Sequence, residues 1–102
     1  MRIGHGHFFQ NVEGRPDEEV WRTEMALADC AEHVGFESVW AVEHHFGGYS
    51  MSTDPLPFLT WLAARTQHVK LGTMVSVLPW HDPIRLAEHA WEIDTTRVIG
   101  GR

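Results

Sequence analysis

The stretch that decides the fold is residues 35–46, Gly-Phe-Glu-Ser-Val-Trp-Ala-Val-Glu-His-His-Phe. Its glycine supplies the left-handed residue that commonly ends a helix. The apolar run that follows, residues 36–42, is rich in strand-forming side chains. A short apolar run entered directly from a helix end is typical of a buried parallel strand. The stretch therefore predicts a helix, a buried strand and a polar cluster at the strand's carboxyl end.

Similar units lie on both sides of this stretch. Pro16 with three following acids, and the pairs Asp54-Pro55 and Asp82-Pro83, are typical first turns of helices. Strands are predicted at residues 2–9, 36–42 and 69–78, helices at 16–34, 55–67 and 83–95, and a turn before another strand at 100–102. Strands and helices that alternate at a spacing of about 33 residues predict βα units and a parallel sheet.

The expected architecture is therefore α/β, with a single partial barrel domain over residues 1–102. Eight such units form a (βα)8 TIM-type barrel of ~250 residues, and 102 residues hold only three. We expect the first three units of such a barrel, which is truncated or is completed by association, either as a homo-oligomer or with a missing C-terminal part. The alternative is a small, self-sufficient α/β domain.

Composition and charge exclude several classes of partner. The formal net charge is −6, with 14 acidic and 8 basic residues, which argues against nucleic acid and anionic membranes as partners. No apolar run is long enough to span a membrane, and the N-terminus does not look like a secretory signal. The single cysteine, Cys30, is expected to be a small buried residue of the first helix. A cytoplasmic protein is predicted.

The first candidate site follows the second strand. In a parallel barrel the active site lies at the carboxyl ends of the strands, where Glu43, His44 and His45 stand. Because side chains alternate along a strand, the two imidazoles should diverge, with Glu43 on the side of His45. An imidazole can serve as acid, base or metal ligand. The alternative is that one histidine caps a backbone group and the other faces solvent.

The second candidate is the pair His5 and His7. Their spacing aims both imidazoles the same way on a strand, as a metal site would need. A metal-dependent hydrolase barrel is therefore an alternative function, although its further ligands would have to come from outside these 102 residues. Packed or exposed histidines are the other interpretation, and no metal ligand is assigned. His81 and His89 are expected to be ordinary surface or capping residues.

Residues 35–46, 71–79 and 81–88 together resemble the bacterial luciferase-like flavin monooxygenases. The segments occur in that family's order and spacing, and the resemblance extends over nearly the whole chain. It implies a (βα)8 barrel that binds reduced FMN, or a deazaflavin in some relatives. It further implies that dioxygen oxidises a small organic substrate of the aldehyde, alkane or ketone class. A separate flavin reductase usually supplies the reduced flavin.

The resemblance also implies roles for individual residues. His44 matches the family's catalytic acid–base position, and Glu43 lies in the same site, where it is expected to help bind the cofactor. Met74 and Val75 match the segment that packs against the flavin ring, often through a non-proline cis peptide.

His45 and Phe46 are expected to contact the substrate. In such barrels later strands hold the flavin phosphate, so we expect weak or no flavin binding by these 102 residues alone. A non-catalytic fragment that only completes a barrel remains an alternative.

Overall fold

Three parallel strands form the sheet of this chain, whose computed structural model describes residues 1–100, with side-chain surroundings as far as Thr95. The strands are β1 (Gly4–His7), β2 (Ser38–Ala41) and β3 (Lys70–Thr73), in the order β1-β2-β3. Gly6 pairs with Trp40, and Trp40 pairs in turn with Gly72. The parallel α/β prediction is confirmed, and the carboxyl ends of all three strands lie at one edge.

The helices begin at the predicted residues or within one of them. They are α1 (Asp17–Ala31), α2 (Pro55–Ala63) and α3 (Pro83–Gly100), with a short 3-10 helix at Leu78–Trp80. The Asp54 carboxylate caps α2 by accepting from the Leu56 N–H, and the Asp82 carboxylate caps α3 in the same way. These caps explain why both Asp-Pro pairs open helices. Residues 101–102 of the predicted final turn lie outside the described residues, and Gly100 is the last residue of α3.

Several predicted elements are shorter in the structure. The first helix ends at Ala31 rather than at residue 34, and a turn then runs to Gly35, whose φ of 92° is the predicted left-handed stop. The second helix ends at Ala63 rather than at residue 67. Strands β1 and β2 keep only the residues that pair with a neighbour.

The third strand differs most, because it ends at Thr73 and not at residue 78. The Met74 N–H still donates to the Ala41 carbonyl at 2.7 Å, where β2 also ends. Further along the predicted strand, the Val77 N–H donates to the Glu43 carboxylate instead of to a neighbouring strand. The apolar sequence therefore continues beyond Thr73, but the strand does not, because the backbone there bonds a side chain instead of a neighbouring strand.

The core lies between the sheet and helices α1 and α2. Phe9, Val39 and Leu62 are fully buried there, together with small residues of α1 such as Ala28. Cys30 is exposed, so the prediction of a buried cysteine is wrong, because α1 turns its Val20–Ala28–Ala31 face inward. No helix among the described residues is long and apolar enough to cross a membrane.

The opposite face of the sheet is covered by one large ring. The Trp40 side chain lies across β1 and β3, and a Cβ placed on Gly72 would come 2.5 Å from two of its ring carbons. Trp40 keeps 40% of its surface exposed, and its indole N–H donates to the Ser38 hydroxyl at 2.9 Å. Glycine in β3 is therefore required by the close approach of this ring.

Candidate active site

The segments that follow β2 and β3 meet at the carboxyl edge of the sheet. Residues 43–46 leave β2, residues 74–77 leave β3, and the Val77 N–H donates to the Glu43 carboxylate at 2.8 Å. This bond spans 34 residues of sequence and ties the two segments together. The segments that follow these two strands therefore lie together, as the sequence predicts for the ends of neighbouring parallel strands.

A buried carboxylate organises the site. The Glu43 side chain has no exposed surface, and its Oε1 accepts from Nε2 of His45 at 2.6 Å. Its Oε2 accepts from Nε2 of His81 at 2.8 Å and from the Val77 N–H. Three donors thus converge on the two oxygens of one carboxylate.

These donors keep Glu43 ionised. Burial alone raises the pKa of a carboxyl group, because it penalises the charged form. Hydrogen bonds from His45, His81 and the Val77 amide outweigh that effect, and the net pKa of Glu43 is lowered. A negative charge is therefore fixed beneath the carboxyl edge of the sheet.

His45 and His81 bond different oxygens of this carboxylate. Their side chains are 19% and 17% exposed. The His45 ring also packs against the Trp80 ring, with centroids 4.7 Å apart, and Phe46 approaches Trp80 at 5.6 Å. The predicted alternation is confirmed to this extent: Glu43 and His45 lie on the same side.

The interpretation of His81 as an ordinary surface or capping residue is wrong. It is a direct partner of Glu43, although 38 residues separate them. Trp80, which covers His45, was also missed. The only sequence signal for either residue is its place in the loop between β3 and the Asp-Pro start of α3, at the carboxyl edge where barrel sites form.

His44 points to a different environment. Its side chain is exposed and meets the Tyr49 ring edge-on, with centroids 4.7 Å apart. Its backbone N–H donates to the Ser52 carbonyl at 2.8 Å, which fixes the main chain below the imidazole. His44 and His45 therefore diverge as predicted, and the imidazole of His44 is free to meet a ligand.

Met74 and Val75 form an exposed apolar step directly after β3. They are 40% and 62% exposed, and the peptide bond between them is cis, which confirms the cis or irregular backbone predicted there. The Met74 methyl group lies over β1, 3.1 Å from where a Cβ of Gly6 would be. Phe46, with a φ of 55°, stands 93% exposed in the segment that follows β2.

The residues present suit a planar aromatic cofactor such as flavin. Met74, Val75 and Phe46 offer apolar surface, which a flat ring system can cover, and His44 offers an exposed acid–base group in the segment that follows β2. The Glu43 carboxylate, by contrast, accepts hydrogen bonds from protein donors on both oxygens and has no exposed surface. The sequence predicts that Glu43 helps to bind the cofactor, and it would do so indirectly, by positioning His45, His81 and the Val77 backbone.

The pair His5 and His7 lies on the other face of the sheet, among the core residues. The two rings are 4.4 Å apart, on one side of β1 as predicted. His7 is fully buried, and its Nδ1 bonds the Glu24 carboxylate at 2.7 Å. His5 stacks on Phe36, and its pKa is lowered by burial and by the neighbouring His7.

Metal ligation by this pair finds little support. Nδ1 of His5 and Nε2 of His7 are buried without a hydrogen-bond partner. Among the residues that the structure describes, however, no three His, Cys, Asp or Glu side chains are arranged to hold a metal ion. The alternative of a metal-dependent hydrolase therefore gains no complete ligand set from this part of the chain.

Comparisons with known proteins find monooxygenases that are similar to this chain in sequence and in structure. The chain is 36% identical over 104 residues to 4-hydroxyprotoasukamycin monooxygenase of Streptomyces nodosus subsp. asukaensis, covering 99% of this chain and 27% of that protein. The crystal structure of the monooxygenase RslO1 from Streptomyces bottropensis superposes with a TM-score of 0.85 at 30% identity, over 100% of this chain and 31% of that one.

A third match shows the fold alone, because its identity is only 22%. It is the oxygenating constituent of 3,6-diketocamphane monooxygenase from Pseudomonas putida, a type II Baeyer–Villiger monooxygenase in complex with FMN. Its TM-score is 0.85, over 99% of this chain and 28% of that one. The chain thus spans about a third of the length of these proteins or less. Residues 1–102 match the family model of the luciferase-like monooxygenases along their whole length, and the chain belongs to that family.

Proposed function

We propose that this chain supplies the first three βα units, and part of the active site, of a flavin-dependent monooxygenase. The enzyme would use reduced FMN and dioxygen to oxidise a small organic substrate of the aldehyde, alkane or ketone class, with a deazaflavin as the alternative cofactor. The observation that carries this proposal is that the exposed His44 and the exposed Met74–Val75 step follow neighbouring strands, whose following segments are joined by the bond from the Val77 N–H to the ionised Glu43. These residues stand at the carboxyl ends of parallel strands, where barrel enzymes bind their ligands.

The proposed roles follow from exposure and contacts. Met74 and Val75 pack against one face of the flavin ring, since both are apolar and exposed. His44, whose imidazole has no hydrogen-bond partner among the described residues, holds or delivers the proton that the reaction needs. When bound, the reduced flavin supplies the electrons with which dioxygen is activated.

The remaining residues shape the substrate side of the site. Phe46 is almost fully exposed and, together with Trp80, offers aromatic surface that can exclude water from an organic substrate. His45 lies between them and Glu43, so it would border the substrate while remaining anchored. Glu43 itself holds the histidines and the Val77 backbone in place.

The partners of the enzyme are part of the proposal. A separate flavin reductase would deliver reduced flavin, as the resemblance to luciferase-like monooxygenases implies. The barrel would be completed by further βα units or by association, because the inner face of the sheet leaves Trp40 and Met74 each 40% exposed. A cytoplasmic location fits the predicted reductase partner.

An anaerobic titration of the complete protein with reduced FMN tests the proposal. We expect saturable quenching of flavin or tryptophan fluorescence, and incorporation of one ¹⁸O atom from ¹⁸O₂ into an aldehyde, alkane or ketone substrate. Met74→Glu should weaken flavin binding, whereas His33→Gln, which changes an exposed histidine outside the site, should leave it unchanged. No saturable binding by the wild-type protein, or equal binding by Met74→Glu, would refute the proposal.

A further inference from the structure

The hydrogen bonds around Glu43 determine where the protons of two imidazoles lie. An ionised carboxylate only accepts hydrogen bonds. Both His45 and His81 present Nε2 to it, at 2.6 and 2.8 Å. Each Nε2 must therefore carry a hydrogen.

A neutral imidazole has one N–H and one lone pair. With its hydrogen on Nε2, His45 keeps the lone pair on Nδ1, which has no hydrogen-bond partner among the described residues. The Trp80 ring packs against the His45 ring at 4.7 Å and limits its rotation. One nitrogen of His45 is thus anchored, and the other is left as a base.

His81 and the Val77 amide have a different effect, because they share the second oxygen of the carboxylate. Both bonds to Oε2 are 2.8 Å long. They stop the carboxylate from rotating about its last bond, so Oε1 stays aimed at His45. His81 touches neither the Met74–Val75 step nor His44 through any described hydrogen bond or ring contact.

We propose that Glu43 fixes His45 as its Nε2–H tautomer and so makes Nδ1 of His45 a second proton acceptor of the site, with His81 as a positioning residue that keeps Glu43 in place. The use of this base in oxygenation rests on the proposed function. The tautomer and its cause do not, because they involve only groups of this chain.

Long-range ¹H–¹⁵N correlation spectra of the histidine-labelled protein, recorded at about pH 8, test the proposal directly. The expected result is hydrogen on Nε2 and a lone pair on Nδ1 for both His45 and His81. This measurement on the wild-type protein needs no substitution and so does not depend on the folding of a variant. A His45 that carries its hydrogen on Nδ1, or on both nitrogens, would overturn the proposal.

The variant Glu43→Gln gives a sharper result. Its amide has one accepting oxygen, which must remain on the side of Val77, because a backbone N–H can only donate. The amide N–H₂ then faces His45, which has to accept. We expect His45 to change to the Nδ1–H tautomer while His81 keeps Nε2–H, and Glu18→Gln on the exposed face of α1 to change neither. An unchanged His45 in Glu43→Gln would contradict the proposal.

The positioning role of His81 has its own readout, the pKa of Glu43 followed by ¹³C NMR of its carboxyl carbon. His81→Leu removes a donor, so the Glu43 pKa should rise, and His81→Gln, which retains an N–H, should restore it in part. Equal Glu43 pKa values in all three proteins would overturn that role. A wild-type protein that fails to bind flavin would refute the proposed function and leave these spectra unaffected, so the two failures are distinguishable.

Discussion

Replacing Gly72 by alanine tests the packing on which the site is built. Gly72 lies in β3, two residues before Met74, and the Trp40 ring crosses it. A Cβ there would stand 2.5 Å from Cε3 and Cζ3 of Trp40 and 3.1 Å from Cη2. Carbon atoms in ordinary contact are ~3.5–4.0 Å apart, so the ring has to move by about an ångström.

The cost can be worked out from three contributions. Overpacking of this kind typically destabilises by about 1–3 kcal/mol. Movement of the indole also strains its 2.9 Å hydrogen bond to Ser38, a bond of a kind worth ~0.5–1.5 kcal/mol. Alanine regains about 0.4–1 kcal/mol by restricting the unfolded chain. We expect a net loss of about 1–3 kcal/mol in the free energy of unfolding. The loss is not larger because the Trp40 ring is exposed on one side and can move.

Equilibrium unfolding in urea, followed by tryptophan fluorescence, measures this loss. Gly48→Ala is the matched control, because a Cβ there meets nothing within 4 Å and its φ is not left-handed. The control should be neutral or slightly stabilising. A Gly72→Ala protein as stable as wild type, beside a well-behaved control, would refute the placement of Trp40 over β3.

Two further predictions concern the site itself, and a third concerns the response of the fold to acid. In the complete enzyme His44→Ala should lower turnover by about 10²-fold or more, as loss of an acid–base group does, and steady-state oxygenation at the wild-type rate would exclude that role. Glu43→Ala should lower the free energy of unfolding by about 1–3 kcal/mol, because the partly buried Val77 N–H loses its acceptor. A loss in urea unfolding no greater than that of His44→Ala would contradict this. Acid should weaken the fold in two steps. His5 has a pKa lowered from 6.5, so its neutral form favours folding and this stability is lost as pH falls below about 6.5. Glu43 has a pKa lowered from 4.5, so its contribution is present above about 4.5 and is lost as pH falls through the folded-state value. The urea concentration at the unfolding midpoint should therefore fall as the pH is lowered, and a rise would contradict both steps.

The order of the elements could be predicted because it depends on local signals. Gly35 adopts the left-handed conformation that ends α1, and the side chains of Asp54 and Asp82 cap the helices that follow them. Such contacts reach only a few residues along the chain. The end of β3 could not be predicted in this way, since Val77 looks like a strand residue and its amide bonds a carboxylate 34 residues away.

In the candidate site, too, the local features could be predicted from the sequence and the long-range contacts could not. The side on which Glu43 and His45 lie follows from alternation along a strand, and the structure brings them together. His81 is a partner of Glu43 only because the loop after β3 folds back over the carboxyl edge of the sheet. Cys30 was misjudged for a related reason, since the face of α1 that turns inward depends on where the sheet lies.

The most direct test of the whole account is a crystal structure of the complete protein with FMN bound. The account predicts the isoalloxazine ring against Met74 and Val75, with the His44 imidazole within hydrogen-bond reach of the ring or of the substrate space beside it. A flavin bound instead in the groove of about 490 Å³ between α2 and α3, which is lined by Leu56 and Ile93, would contradict it.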